Sequence, residues 1–388
     1  MPILTPVFNE KDYPEILTII EDAKSQINQA SIIIASRSSS IALDDCNNGV
    51  CFLSALRISQ DNSHLDCNGK TIKPKNNAEV ALIIEANNFS ITNCTIESFK
   101  NNAIKVLGSG NIIFNNTITN NPEGGIIIEG NNNLVFNNSM KDNKKFNVHI
   151  QATSKNNIVY NNTMIDTEGL YQPYTGAVAA ISVSGSENKI LENTIKNNAE
   201  IGIRLIRLAS EEPAPSKNLV AKNKIENSGV LALGITGAVP KKDMMDVPET
   251  KNSLGQNTIF NNTLSKSNKE FGISVEWSDS NVIIGNNIYE NNWEGIHLSS
   301  DNNIIQLNQV YKNKDEGIWL GNAHNNNLLS NIIFDNTHHC GIVLTNGQQG
   351  DSTNNTVRSN FLNGNGDMHD DKQICDDDNN SVYENDFK

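Results

Sequence analysis

The chain has no apolar run approaching the ~20 residues of a membrane span, so it offers no spanning helix. Charge is scarce, at 19% of residues, and lopsided: 30 Lys and Arg against 44 Asp and Glu give a net −14. That balance argues against nucleic acid and anionic membranes as partners. The opening residues, MPILTPVFNEKDYP, lack the basic start and apolar core of a signal peptide. The expectation is a mature form carrying an added Met, or export by another route. Long amphipathic helices are also missing, with one exception. In residues 14–29, Ile16, Ile19, Ile20, Ala23 and Ile27 form an apolar stripe. A helix here is expected to act as a lid on the open end of whatever core follows, with SIIIAS (31–36) read as a strand leading into a first irregular coil.

What the chain has in excess is asparagine, 65 residues of 388. The excess is periodic. NIIFNNTITNN (111–121) returns as NLVFNNSMKDN (133–143), NIVYNNTMIDT (157–167), NTIFNNTLSKS (257–267) and NVIIGNNIYEN (281–291). The middle Asn reads as a series from Asn116 through Asn138, Asn162, Asn193, Asn223, Asn262, Asn286, Asn308 and Asn331, with worn copies at Asn355 and Asn380. Cys94 holds the equivalent place one coil earlier. A period in the low twenties marks a solenoid, whose repeats cannot bury an apolar face alone. Each repeat carries short β-branched runs rather than a 3.6-residue period, so the repeat is a coil of strands. A second run, such as GIII (125–128), GIRL (202–205), GIHL (295–298) or GIWL (317–320), precedes the next Asn block. Asn suits the corners because it tolerates left-handed backbone and its amides can bond from coil to coil.

These Asn-punctuated runs with GI-x-L strands resemble the repeats of the NosD-like and pectate-lyase-like parallel β-helix families, and HLDCNGKTI (64–72) is similar to a first-coil phrase seen there. The resemblance implies an all-β, right-handed parallel β-helix of about twelve coils. It divides the chain into a cap (1–55) and the helix proper (56–388). It says little about function, because one superfold hosts many chemistries.

Three intervals in the Asn series are long, at 31, 30 and 39 residues, and place inserted loops at 166–176, 207–217 and 235–256. Insertions in repeat proteins often surround the binding face. Between them, the outward residues of the GI-x-L strands read Lys105, Ile127, His149, Ser182, Arg204, one residue near Ala232 of ambiguous phase, Ser274, His297, Trp319 and Val343. Glu276 is on the next outward row. The candidate catalytic residues are therefore Arg204, His149, His297 and Glu276. Lys105, Tyr171, Tyr174, Trp277 and Trp319 are candidate substrate contacts, the aromatic ones by stacking on sugar rings.

That set suits proton abstraction next to a uronate carboxylate, which needs a base and a cation to hold the developing anion. The expected partner is thus an acidic polysaccharide, worked on by a monomeric lyase or C5-epimerase. The alternative is a NosD-like accessory, glycan-binding or adhesive protein. The residues call for no cofactor and no metal site, although calcium would suit the acids Glu123, Glu200, Glu270, Glu294 and Glu316 that precede the GI strands. Those acids also fit a purely structural corner role. His338-His339-Cys340 with His324 matches no strong metal motif. The six Cys are an even number; paired, they would place the protein in a secreted, periplasmic or cell-surface setting, and as buried thiols they would not.

Overall fold

Coil after coil, the β-branched runs pair with their copies one turn on. The computed structural model describes residues 8–36, 39–43, 46–167, 178–237, 253–347, 350–366, 373–376 and 379–387. Three long sheets, of 14, 15 and 14 strands, run the length of the molecule. One coil gives Ile112–Phe114 to the first, Thr117–Thr119 to the second and Gly124–Ile128 to the third. The pairing is parallel and in register: Ile113 meets Val135, Ile118 meets Met140 and Ile126 meets Val148. Those inward residues are fully buried, in a core continuous from Ile58 to Leu362. Each such side chain contributes roughly 1.5–3 kcal/mol of burial, and none could be buried by its own coil alone. The fold is a parallel β-helix.

Asparagine ladders close the corners. Asn138 Oδ1 accepts both the backbone N–H (3.0 Å) and the side-chain amide (3.1 Å) of Asn116. Asn138 in turn donates its amide to Asn162 and to the carbonyl of Ile113. A second ladder runs through Asn111, Asn133, Asn157 and Asn188, and a third through Asn291, Asn313, Asn336 and Asn365. The left-handed residue is not the ladder Asn but the one before it, as at Asn115 (φ 55°), Asn137 (54°) and Asn261 (52°).

The structure differs from the sequence reading in several places. Among the described residues, parallel pairing gives the first and second sheets 14 rungs each and the third 13, against about twelve coils expected, and the first two sheets begin ahead of residue 56, at Ser39–Ser40 and Cys46–Asn47. Asn355 and Asn380 belong to the ladder that continues from Asn326, not to the middle one. The middle ladder passes from Asn331 to Asn360 and Asn385. The step from Asn331 is thus 29 residues long, and it takes in a further excursion where Asn346 and Gly347 pair antiparallel with Gly350 and Asp351.

The helix runs Pro14–Ser36, through the segment expected as a strand. It is not a lid. Ile20, Ala23, Ile27 and Ala30 pack on the outer face of the first sheet, against Ile112, Phe136, Ile158, Leu191, Leu219, Phe260 and Ile284. At ~1.5 Å per residue its 23 residues span about 34 Å, or about seven coils at ~4.8 Å each. Its start lies by Phe260, with the Phe8 and Tyr13 rings 5.5 and 5.8 Å from that ring. Lys24–Glu192 (2.8 Å) and Glu10–Lys222 (2.7 Å) pin it at the sides.

All six cysteines are paired, as Cys46–Cys51, Cys67–Cys94 and Cys340–Cys375. The second pair replaces the first rungs of the middle ladder: the Cys94 N–H still donates to Asn116 Oδ1.

Candidate functional site

The third sheet carries the outward row in the order expected. Register runs Lys105, Ile127, His149, Ser182, Arg204, Gly234, Ser274, His297, Trp319, Val343. Gly234 thus fills the place that the phase of GVLALGI left ambiguous. Strand periodicity points these side chains out of the core, yet Ser182, Arg204 and Ser274 are at most 7% exposed. This part of the face is buried where the inserted segments leave the coils.

Between Arg204 and His297 the row dips to a glycine and a serine, Gly234 and Ser274. A Cβ built on Gly234 would meet Leu231 Cδ1 at 3.2 Å and Arg204 Cγ at 4.0 Å, so the leucine and the arginine stem both reach over the glycine. The dip spans two coils, about 10 Å at ~4.8 Å each. Its edge is acidic. Burial raises the pKa of Glu200, against the pull of Lys269 and Arg204. Burial and then the Glu276 carboxylate raise that of Glu270, against the opposite pulls of His297, Lys269 and Arg204. Glu270 therefore lies in the field of both the arginine and the histidine. Ser274 donates its hydroxyl proton to Glu276 Oε1 at 3.1 Å.

His297 closes the far side. Its ring lies between Phe271 (4.3 Å) and Trp319 (4.4 Å), both stacked on it. Its Nδ1 faces Glu294 Oε1 and its Nε2 faces Ser299 Oγ, each at 3.4 Å. A carboxylate on Nδ1 favours the tautomer that leaves Nε2 as an acceptor.

The right-handed β-helix family matches residues 79–238 and 249–387, most of the chain. The chain belongs to the right-handed β-helix family. No curated protein matches it in sequence. Among solved structures it is similar to the A-module of the Azotobacter vinelandii mannuronan C-5 epimerase AlgE6, at 11% identity and TM-score 0.62, covering 85% of this chain and 91% of that one. It is similar to the periplasmic alginate epimerase AlgG at 15% identity and TM-score 0.53, over 88% and 79% of the two chains. It is also similar to the catalytic domain of a GH87 α-1,3-glucanase in complex with tetrasaccharides, at 13% identity and TM-score 0.54, over 86% and 62%. At such identities the likeness is one of fold.

Within this right-handed β-helix the other candidate residues are dispersed. His149 is two coils before Arg204, about 10 Å away, and only 3% exposed. Its Nδ1 has no partner among the described residues, and burial pulls its pKa down to about 4, against smaller upward pulls from the Ser182 backbone and Gln151. It is a sealed imidazole, unlike His297. Lys105 is four coils from Arg204 and paired with Glu129 at 2.9 Å. Tyr171 and Tyr174 lie outside the described residues, as do most of the 166–176 and 235–256 insertions. The 207–217 insertion is described, and Arg207 Nε pins it to the Glu212 carbonyl at 2.7 Å. Trp277 ends the strand Ile273–Glu276 in left-handed backbone (φ 51°).

The sequence reading undervalued the corner acids. Glu123 is half-buried and paired with Lys145, but Glu200, Glu294 and Glu316 are buried. Their signal was present, an acid just before each GI strand. A repeat-encoded position reads as scaffold unless burial is known.

No helix among the described residues is long and apolar enough to cross a membrane.

Proposed function

We propose that the protein processes an acidic polysaccharide laid along its third sheet, abstracting the C5 proton of a uronate. The carrying observation is the dip at Gly234 and Ser274, bounded by Arg204 and His297 with Glu270 in the field of both. Arg204 holds the C5 carboxylate and stabilises the charge that gathers on it. His297 Nε2 takes the proton, its ring oriented by Glu294 and held between Phe271 and Trp319. Glu270, whose pKa burial raises, is the acid. If it protonates the departing 4-linked oxygen, the C5 electron pair forms the C4=C5 double bond as the C4–O4 bond breaks, which is β-elimination. If a proton returns to the opposite face of C5, the product is the epimer. Pre-organised charge of this kind is commonly worth 10²–10³ in rate. Similarity in fold to two alginate epimerases supports the reading. The three disulfides support action in a secreted, periplasmic or cell-surface setting, and a monomer suffices for the chemistry.

Glu270 and Glu276 favour one second reading. A raised carboxyl beside a second carboxylate is also the pairing of a glycoside hydrolase.

One incubation separates them: alginate, pectate and glycosaminoglycans in deuterated water, followed by ultraviolet absorbance, reducing ends and C5 deuterium. Unsaturated ends or C5 deuterium support the proposal. New reducing ends without unsaturation support hydrolysis. Inertness on every acidic glycan leaves the non-catalytic accessory role.

A further inference from the structure

One coil past Trp319, the acidic edge of the third sheet meets two histidines. Glu316, His338 and His339 offer one ligand atom each, all within 4.8 Å of one another, and form the one such group of three among the described residues. Glu316 is buried just before the strand Ile318–Gly321. His338 and His339 precede the paired strand of the next coil, Ile342–Gly347. Adjacent residues on extended backbone point to opposite sides. Here His339 adopts left-handed backbone (φ 46°), and the two rings come within 3.8 Å of each other. Asp315 Oδ1 is 2.9 Å from His338 Nδ1, and Glu316 Oε1 is 3.9 Å from the same nitrogen.

We propose that Glu316, His338 and His339 form a binding site for a divalent transition cation of the zinc class, clipping two neighbouring coils together, with Asp315 orienting His338. The donor set decides the class of ion. Two imidazoles and a carboxylate suit zinc, cobalt, nickel or copper, whereas calcium and magnesium take oxygen ligands throughout. The geometry is close to what is needed. Ligand atoms at about 2.1 Å from a tetrahedral ion lie about 3.4 Å apart, so small rotations of surface imidazoles complete the set. Charge agrees: Asp315 and Glu316 both lie against His338, so a bound dication offsets two neighbouring carboxylates. An aspartate on the ring of a ligating histidine is the usual outer support of such a site. Cys340 and His324, the other members of the sequence cluster, are not ligands: Cys340 is joined to Cys375, and His324 Nδ1 meets Thr353 Oγ1 at 2.9 Å.

The test is calorimetric titration of the chelator-treated full chain with zinc chloride, with calcium chloride in parallel. The site predicts one zinc per chain, a Tm that rises with zinc concentration, and no heat from calcium that the variants alter. His338→Ala and His339→Ala each weaken zinc binding by at least about 10-fold, the scale on which even supporting residues act, and the double variant abolishes the zinc-dependent Tm rise. Both side chains are exposed, so these variants fold, and their Tm without zinc verifies it. Absence of stoichiometric zinc binding, or unchanged affinity in the double variant, overturns the assignment. Neither result depends on whether the dip processes a glycan.

Discussion

Asn223 shows what a single ladder residue does. Its Oδ1 accepts the Asn193 N–H at 2.9 Å and the Asn193 amide at 3.0 Å, and its own amide donates to the Ile190 carbonyl and to Asn262. Alanine here strands buried donors and a carbonyl, so Asn223→Ala should cost about 2–4 kcal/mol, read as a lower urea midpoint. Asn115→Gly, which keeps left-handed backbone at an exposed turn, should be near neutral. Equal losses from both would refute the ladder account. His149 gives the pH dependence. Its folded pKa is about 4 and its unfolded value about 6.5, so between these values the unfolded chain binds the extra proton. Stability therefore falls as pH drops from about 6.5 to about 4, by about 3 kcal/mol from this one group. His149→Leu should flatten the slope of urea midpoint against pH over that window, and an unchanged slope would show that His149 is not the titrating group.

At the scale of elements, the N-terminal helix is the instructive case. The stripe Ile16, Ile20, Ala23 and Ile27 was legible, but its partner was not, because a 3.6-residue period says only that a face is buried. Ile19, counted in that stripe, is 41% exposed. The partner's signal lay in the first sheet. NIIF, NLVF, NIVY and NVII are apolar at outward as well as inward positions, the mark of a strand buried on both faces, whereas the third sheet's outward row is mixed. The ladder slip at Asn355 has a similar cause: two of the three Asn of each coil open similar motifs, and an inserted hairpin let one stand in for the other. The helix is a strap, and Ile20→Asp should release it. Hydrogen exchange across 14–36 should then quicken while strands such as Ile296–Ser299 stay protected. Loss of protection throughout would show that the helix is integral to the core.

At the scale of the molecule, a solenoid confines damage to neighbouring coils and lets one face gather residues distant in sequence. The row from Lys105 to Val343 was readable because strand period and coil period are both fixed. What escaped was depth. Nothing in the spacing distinguishes fully buried His149 from partly buried His297, or marks Glu270 as more than a corner acid. All 3 tryptophans of the chain are at or beside the dip: Trp277 beyond Glu276, Trp293 against Phe271 at 5.5 Å, and Trp319 on His297. Acidic oligosaccharides should therefore change intrinsic fluorescence saturably, and a flat titration would place binding elsewhere. The most direct measurement compares turnover and affinity of Arg204→Ala and Arg204→Lys with the unaltered protein on the best acidic glycan. Because Arg204 is assigned to the charge that develops in the reaction, kcat should fall about 10²–10³-fold in Arg204→Ala, with Kd changing far less. Arg204→Lys should recover only part of the rate, having lost the fork that grips a carboxylate. An Arg204→Ala protein with undiminished kcat would contradict the account.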